Sequence, residues 1–470
     1  MRDSPNQQAL FNEIRATRAF APASVCFVAL ACLWALFRHY NVVNGSPFHR
    51  WPWRSVPWSA VYPLTIVSCV PLLLAPIFWR RKGLASCVVA LSLLMTTSIS
   101  LQIVDGGLRS DGFDLERIVD LVHNPAVTSY FTEAVILTTR GSVLTFLHEY
   151  PQLLHQFHMH ATQKPPGQIL YWYAWLQITG DGGGSALFGA IGLALLASLS
   201  IPAIYWLSIT IFERSDESRP IARTAAMLIA MCPSIVLYCP LFDSVYPATT
   251  CAALATWLLA LRTRRAIWAL LCGLIFAVTF FLSFIPLTLG VAVIGYGVVV
   301  VLVRRSIEPR VALRQAMLVL GVIVGVYVAL WLMFHYNAIA TFTTAMRNER
   351  AQVATFEILR TYPHTLPTDV LDFFFGSAWI TFPVLIVWLL RRKESTEQTW
   401  LLLAGLFQIV VIAAGGLLRC ETSRLWTFMQ PLALIPVATE LPRWSPRQRA
   451  VFFIAMWLLL SATMQNLEVH

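Results

Sequence analysis

The chain has 470 residues, of which 57% are hydrophobic and only 12% charged, and its formal net charge is +10. Repeated runs of about 20 apolar residues are long enough to cross a bilayer, so the composition excludes a water-soluble protein and predicts a polytopic membrane protein. The positive charge does not indicate a nucleic-acid partner, because the basic residues lie in short clusters at the ends of apolar runs, as the positive-inside rule requires.

Thirteen apolar runs predict about thirteen transmembrane helices, and we expect residues 1–470 to form one all-α helix bundle in the membrane. Arginines precede the first run, which lacks a suitable cleavage site, so this run predicts an uncleaved helix with a cytoplasmic N-terminus. The predicted helices cover residues 19–37, 57–79, 83–104, 185–211, 224–239, 245–261, 266–284, 286–303, 315–335, 374–390, 399–418, 425–441 and 450–465.

One further apolar segment, residues 168–179, is only 12 residues long. As a helix it would measure about 18 Å, against about 30 Å of hydrocarbon in a bilayer. If this segment does not cross, 22 of the 34 Lys and Arg residues fall on the cytoplasmic side, and if it crosses, only 11 do. The positive-inside rule therefore predicts a re-entrant or juxtamembrane helix that its tyrosines and tryptophans anchor at the outer interface.

The same count places two polar segments, residues 105–184 and 336–373, on the outer face, together with short turns at 240–243 and 419–424. The first segment is the predicted catalytic loop with juxtamembrane helices, and the second is another outer loop. The cytoplasmic loops are short and basic and contain no glycine-rich nucleotide-binding motif. This pattern excludes a nucleotide-driven pump and an enzyme that binds a nucleotide sugar in the cytoplasm.

Loop 105–184 concentrates carboxylates, which suit a transfer reaction in which an acid takes the proton of an acceptor hydroxyl. Each of these acids also fits a solvated surface position. They are Asp105, Asp111, Asp114, Glu116, Asp120, Glu133 and Glu149. Histidines follow in the same loop, but they lack the spacing of a zinc site, so we predict no metal centre there. These histidines are His148, His155, His158 and His160.

The sequence Lys164-Pro-Pro-Gly167 is more specific than the carboxylates. Two prolines hold the chain extended and disfavour helix before them, while Gly167 permits a tight start to the helix that follows. A lysine held rigidly just outside the membrane suits the phosphate of a lipid. The alternative is a snorkelling lysine at an ordinary boundary between loop and helix.

Four stretches carry a family resemblance: Tyr130-Phe-Thr-Glu-Ala134, His160-Ala-Thr-Gln-Lys-Pro-Pro-Gly167, Pro233-Ser-Ile-Val-Leu-Tyr-Cys-Pro-Leu-Phe-Asp243 and Glu421-Thr-Ser-Arg-Leu-Trp-Thr-Phe-Met-Gln-Pro431. They resemble the GT-C superfamily of membrane glycosyltransferases, which includes the protein O-mannosyltransferases and the aminoarabinose transferases of lipid A. The resemblance covers roughly residues 80–440 and implies an enzyme that transfers a sugar from a polyprenyl-phosphate donor on the outer face of the membrane. The chain departs from many relatives before Tyr130, where residues 126–129 contain no acid. The resemblance therefore implies that the base is Asp111, Asp114 or Glu133.

In this scheme Lys164 and Arg424 bind the donor phosphate, and His160 orients the base. The substrate site also contains Tyr130, Asp243 and Glu421. Glu421 and Arg424 are three residues apart, so a local ion pair is an alternative to phosphate binding. No cofactor is required, and nothing in the sequence supports a Mg²⁺ or Mn²⁺ site.

The predicted partners are a polyprenyl-phosphate-linked sugar, a glycan, lipid or protein acceptor, and the bilayer of a bacterial plasma membrane. The alternative functions are a transporter or lipid flippase of the cell envelope and, as a third reading, a non-catalytic scaffold. A transporter predicts ionisable residues near the middle of the membrane. The predicted helices contain few such residues, and Asp243 lies close to a helix end.

Overall fold

The computed structural model describes residues 52–81, 83–213, 215–355, 362–391, 396–419 and 421–468, with a few positions between 24 and 34. The first predicted helix, 19–37, lies outside these ranges apart from those few positions. The described chain is an all-α helix bundle, as predicted, because apolar segments in lipid must satisfy their backbone hydrogen bonds within the chain.

The first part of the bundle is a pair of long helices followed by the polar loop. Helices α1 (Trp58–Arg80) and α2 (Leu84–Gly107) pack against each other. A small antiparallel hairpin follows, formed by β1 (Leu108–Arg109) and β2 (Gly112–Phe113). The loop then continues with α3 (Glu116–His123), α4 (Pro125–Arg140), α5 (Val143–Leu153), 3-10 turns at Leu154–Gln156 and Met159–Gln163, and α6 (Gly167–Thr179).

The middle of the chain is almost continuously helical. Its helices are α7 (Gly182–Ser198), α8 (Ser200–Ile211), α9 (Ser218–Ala230), α10 (Pro233–Val236), α11 (Tyr246–Thr263), α12 (Ala266–Leu282), α13 (Gly290–Val298), α14 (Pro309–Phe334) and α15 (Ala338–Thr355). Short 3-10 turns at Phe242–Val245 and Ile285–Leu289 precede α11 and α13, and a π turn at Val299–Val303 follows α13.

The last part contains α16 (Leu366–Gly376), α17 (Thr381–Arg391), α18 (Glu397–Ala414), α19 (Thr422–Leu425), α20 (Gln430–Glu440) and α21 (Pro446–Asn466). Turns at Thr427–Met429 and Leu441–Arg443 flank α20. Helices α16 and α17 meet at an angle of 102°.

The predicted number of thirteen spans is not confirmed. Among the described residues, 7 helices are long and apolar enough to cross a membrane, or 8 if the bent pair of α16 and α17 counts as one. Some of the predicted spans contain shorter helices instead. The span predicted at 224–239 is divided because α9 ends before Pro233, which begins α10, and the span predicted at 425–441 contains α20 with 11 residues.

Burial distinguishes the centre of the bundle from its lipid-facing edge. In an 18-residue apolar stretch of the span Phe242–Thr263, 83% of the residues are buried. In the corresponding stretch of α14, 0% of the residues are buried. Helix α11 is therefore a central helix, and α14 exposes its apolar side chains to the surroundings. That arrangement suits a protein whose solvent is lipid.

Helix α6 has 13 residues, about 20 Å, and packs against α4 and α7. Its first residue is Gly167, where a Cβ atom would collide with the carbonyl oxygen of Phe281. The glycine thus permits close contact between the start of α6 and the end of α12. Through this contact the fold fixes the position of the preceding Lys164.

Candidate active site

A group of ionisable side chains from separate parts of the chain meets beside loop 105–184. We call this group the charged cluster, and it is defined by Tyr130, His160, Lys164, Asp243, Glu421 and Arg424. The loop contributes Tyr130 from α4 and two residues around the turn Met159–Gln163, while Asp243 precedes α11 and the last two residues flank the start of α19. All six residues were predicted from the sequence as site residues.

Arg424 is the central cation of the charged cluster. Its Nη2 atom lies 2.6 Å from Glu421 Oε2, and its Nε atom lies 3.6 Å from Asp243 Oδ2. The three side chains are only 13–16% exposed. Burial alone would lower the pKa of Arg424, but the two carboxylates outweigh burial and raise it. The local ion pair between Glu421 and Arg424, which the sequence offered as the alternative to phosphate binding, is present, and it leaves the guanidinium charged.

Lys164 lies in a different chain segment from Arg424, between the turn Met159–Gln163 and α6, and both its side chain and its backbone have hydrogen-bonding partners. Its Nζ atom is 3.5 Å from Ser283 Oγ, and its backbone carbonyl accepts a hydrogen bond of 2.9 Å from the Tyr150 hydroxyl. Burial lowers the pKa of Lys164, and Arg424 lowers it further, whereas the nearby Asp243 raises it. A bound anion would oppose both lowering effects, because it would favour the charged ammonium.

Tyr130 and His160 complete the charged cluster with little charge of their own. Tyr130 is buried and packs edge-to-face against Phe242, and burial raises the pKa of its hydroxyl. Burial and then Arg424 lower the pKa of His160 to about 4, so its ring is neutral at pH 7. The Nε2 atom of His160 lies 3.1 Å from the carbonyl oxygen of Ala126, to which it donates as the N–H tautomer.

The three carboxylates predicted as the base have other surroundings. Glu133 is 4% exposed and accepts hydrogen bonds from the backbone N–H and Nδ1 of His158, at 2.8 and 2.7 Å. Asp114 accepts from the backbone N–H of Glu116 and lies 3.6 Å from Arg109. Asp111 is exposed between the two strands of the hairpin. Their assignment as the base stays a prediction, as does the role of His160 in orienting it.

The second polar segment covers the turn that carries His160. In α15 the Asn348 side chain donates to the carbonyl of Thr162 at 2.9 Å, and Gln352 is hydrogen-bonded to Gln163. Glu349, from the same helix, raises the pKa of Lys164 through its charge. The segments 105–184 and 336–373 therefore contribute to one site.

An apolar groove with a volume of about 840 Å³ lies beside the charged cluster. Phe284 lines the groove and directly follows Ser283, which is within hydrogen-bonding distance of Lys164. Much of the opposite wall belongs to α14 and includes the exposed side chains of Val324 and Trp331. The groove is therefore open along the lipid-facing edge of the bundle and has a cation near one end.

Sequence reasoning missed Ser283 and Asp372 as neighbours of the site. Asp372 is 3% exposed and bonds to Ser423, the residue before Arg424. An acid directly before three phenylalanines was a usable signal, because a carboxylate inside an apolar run is costly unless it has a partner. Ser283 gave no such signal.

Among the described residues, no group of three or more metal-ligating side chains is placed to hold a metal ion.

No family model matches the chain, and no curated protein matches it significantly in sequence. Among solved structures, the chain is similar to the crystal structure of the Archaeoglobus fulgidus oligosaccharyltransferase in a complex with Zn and sulfate, with a TM-score of 0.50 and 14% sequence identity. The likeness covers 80% of this chain and 53% of that one, so the chain spans about half the length of the oligosaccharyltransferase. At this identity the likeness shows a shared fold alone, which agrees with the predicted all-α helix bundle.

Proposed function

We propose that the chain is a membrane glycosyltransferase of the GT-C type, which moves a sugar from a polyprenyl-phosphate donor to a hydroxyl acceptor. The observation that carries this proposal is the juxtaposition of two cations, Lys164 and Arg424, with a lipid-facing apolar groove. A lipid phosphosugar has the matching parts, since an apolar tail is joined to an anionic phosphate. The oligosaccharyltransferase-like fold supports the same reaction class.

In the proposed complex, Lys164 and Arg424 bind the phosphate. The ammonium acts as a compact charge, and the guanidinium can present two N–H groups to two phosphate oxygens. Glu421 already holds one side of Arg424, which fixes the direction of the guanidinium. Preorganised cations of this kind stabilise the charge that develops on a departing phosphate.

The apolar groove would take the polyprenyl tail. Its aromatic and aliphatic walls belong to the lipid-facing side of the bundle, so the tail could enter from the bilayer without crossing water. The part of the tail next to the phosphate would lie near Phe284 and Tyr336, and the rest would follow α14.

We propose Asp243 as the general base. Its carboxylate lies near both Arg424 and Lys164, and its distance of 3.6 Å from Arg424 is looser than the 2.6 Å of the Glu421 pair. The base takes the acceptor proton while the acceptor oxygen bonds to the anomeric carbon and the bond from that carbon to the phosphate oxygen breaks. Polyprenyl phosphate leaves, and a single displacement inverts the anomeric configuration.

We also propose that the site faces the outer side of a bacterial plasma membrane. The support is the distribution of Lys and Arg, which favours the topology with loop 105–184 outside. No cofactor is needed for the proposed displacement, because it requires one base and a stabilised leaving group. That the protein needs no cofactor stays a prediction.

The proposal is tested by measuring transfer from a panel of radiolabelled polyprenyl-phosphate sugars by the purified protein in lipid nanodiscs. We expect Asp243→Asn to lower kcat by about 10²- to 10⁴-fold, the usual effect of removing a general base. Asp120→Asn is the matched control, because its side chain is 69% exposed and pairs with Arg109. Asp111→Asn, Asp114→Asn and Glu133→Gln are measured in parallel. Full activity in Asp243→Asn with a loss in one of these three would move the base to that residue.

A further inference from the structure

A buried carboxylate on a different helix holds the turn that carries Arg424. Asp372 in α16 is 3% exposed, and its Oδ2 atom accepts a hydrogen bond of 2.8 Å from the backbone N–H of Ser423. The hydroxyl of Ser423 donates to the same carboxylate at 3.0 Å, and the hydroxyl of Thr422 lies 3.3 Å from it. The Thr422 hydroxyl donates its one proton at the shorter distance of 2.5 Å to the backbone carbonyl of Asp369, so the carboxylate satisfies the two donors of Ser423.

Ser423 is also held from the other side, by the segment around α10. Its carbonyl accepts a hydrogen bond from the Ser234 hydroxyl, and its own hydroxyl lies 2.5 Å from the hydroxyl of Tyr238. Because the Ser423 hydroxyl donates to Asp372, the Tyr238 hydroxyl must be the donor in that pair. The residue before Arg424 is therefore fixed through its N–H, its carbonyl and its side chain.

The turn requires these hydrogen bonds because the backbone conformation of Glu421 is unfavourable. Glu421 has φ +49°, in the left-handed region that a glutamate rarely adopts. The short helix α19 begins directly after it, and the N–H groups of its first turn require acceptors from outside the helix. The carboxylate of Asp372 supplies an acceptor to that first turn, so it stabilises the conformation in which Glu421 and Arg424 face each other.

We infer that Asp372 is a positioning residue for Arg424, which acts by holding Ser423 so that the guanidinium points to Asp243 and the donor phosphate. This inference rests on the proposed function of the charged cluster and adds a residue to it. Desolvation of the buried carboxylate offsets part of what its hydrogen bonds contribute to stability, and the same hydrogen bonds fix the geometry of the turn. An error of about 1 Å in the position of a phosphate-binding group lowers the rate by about 100-fold.

The test is a double-mutant cycle between Asp372→Asn and Arg424→Gln, with kcat and KM measured for the polyprenyl-phosphate donor. We expect Asp372→Asn to lower kcat/KM by about 100-fold in the wild-type background and to have almost no effect in the Arg424→Gln background. Asp372→Glu should recover part of the loss, since it restores the charge. Independent, multiplicative losses in the two variants would overturn the inference.

One further measurement, hydrogen exchange with a control variant, separates a positioning role from a loss of folding and from failure of the proposed function. Hydrogen exchange of the peptide covering residues 421–426 should accelerate in Asp372→Asn, whether or not the protein transfers sugar. Unchanged exchange there would overturn the inference, whereas an inactive wild type with the expected change in exchange would overturn the proposed function alone. Glu440→Gln is the control, because Glu440 is another fully buried acid and pairs with Arg391 and Arg443.

Discussion

Arg424 keeps its charge although most of its side chain is buried, because two carboxylates lie within 4 Å of it. A second cation, Lys164, interacts with Asp243 from another segment. Two cations and two anions leave the cluster near neutrality, which limits the cost of burying them. A phosphate that enters such a site can take the place of one carboxylate as the partner of Arg424, so the displaced carboxylate becomes available as a base.

His160 gives this site a characteristic dependence on pH. Its pKa is lowered from 6.5 to about 4, so the unfolded chain binds a proton more readily than the folded protein between these values. The contribution of His160 to stability is therefore fully present above pH 6.5 and is lost as the pH falls towards 4. We expect acidification from pH 7 to pH 5 to destabilise the wild type, relative to His160→Asn, on the order of 1 kcal/mol after solvent screening.

The measurement is thermal unfolding in detergent at several pH values. His155→Asn is the matched control, because His155 is an exposed histidine of the same loop. An equal pH dependence in the wild type and in His160→Asn would show that the His160 ring titrates normally.

At the residue scale, the sequence predicted the members of the charged cluster but not the order of importance among the acids. Lys164 and Arg424 were recognisable because motifs surround them. The sequence placed Asp111 and Asp114 among the base candidates and Asp243 among the substrate-binding residues, since exposure and partners are properties of the folded chain. Asp372 was missed because its partners, Thr422 and Ser423, are about 50 residues away.

The Lys-Pro-Pro-Gly segment shows how an element positions a side chain. Gly167 lies so close to Phe281 that a Cβ atom would collide with its carbonyl oxygen. Because backbone cannot move aside as a side chain can, we expect Gly167→Ala to destabilise the protein by about 1–3 kcal/mol. Donor KM should rise as well, since the shift displaces Lys164.

Thermal unfolding and donor KM are measured together for this variant. Gly183→Ala is the control, because Gly183 lies in the first turn of α7 and a Cβ atom there would have its nearest neighbour 3.7 Å away. If Gly167→Ala behaves like Gly183→Ala in both measurements, the close packing of α6 on α12 does not position Lys164.

The groove along α14 predicts a dependence on the length of the lipid tail. Val324 lines the groove and is 52% exposed, so Val324→Trp should fill part of it. We expect the KM for a long polyprenyl donor to rise about tenfold, which corresponds to the loss of one or two buried methylene groups. A donor with a short tail should be affected much less.

The control is Met333→Trp, because Met333 is also exposed on α14 but does not line the groove. Steady-state kinetics with donors of two tail lengths provide the comparison. Equal effects of Val324→Trp on long and short donors would remove the groove as the site of the tail.

At the element scale, hydrophobic runs located the helices, but the predicted count of thirteen membrane spans is not confirmed among the described residues. Runs such as 224–239 are apolar because they are buried among other helices, and Pro233 then interrupts them. The short length of α6 was predictable from its 12 apolar residues and the glycine that follows. The 102° bend between α16 and α17 was not predictable, because no single residue in 377–380 indicates a bend.

For the whole molecule, the helix bundle and its likeness to an oligosaccharyltransferase agree with what the motifs predicted about the fold. The chain matches about half of that enzyme's length, so the activity must be argued from its own residues. The charged cluster and the groove supply that argument, since cations suit the phosphate of the proposed donor and an apolar groove suits its tail. A flippase would use the same groove but would leave the sugar on its lipid.

The most direct test is therefore the chemical fate of the donor. Sealed liposomes containing the protein, a radiolabelled polyprenyl-phosphate sugar and a hydroxyl acceptor are analysed by mass spectrometry for glycosylated acceptor and free polyprenyl phosphate. We predict that the two products form in equal amounts in the wild type and that both fall by about 10²-fold or more in Lys164→Ala. Movement of intact donor between the leaflets, without release of polyprenyl phosphate, would contradict the proposed glycosyl transfer.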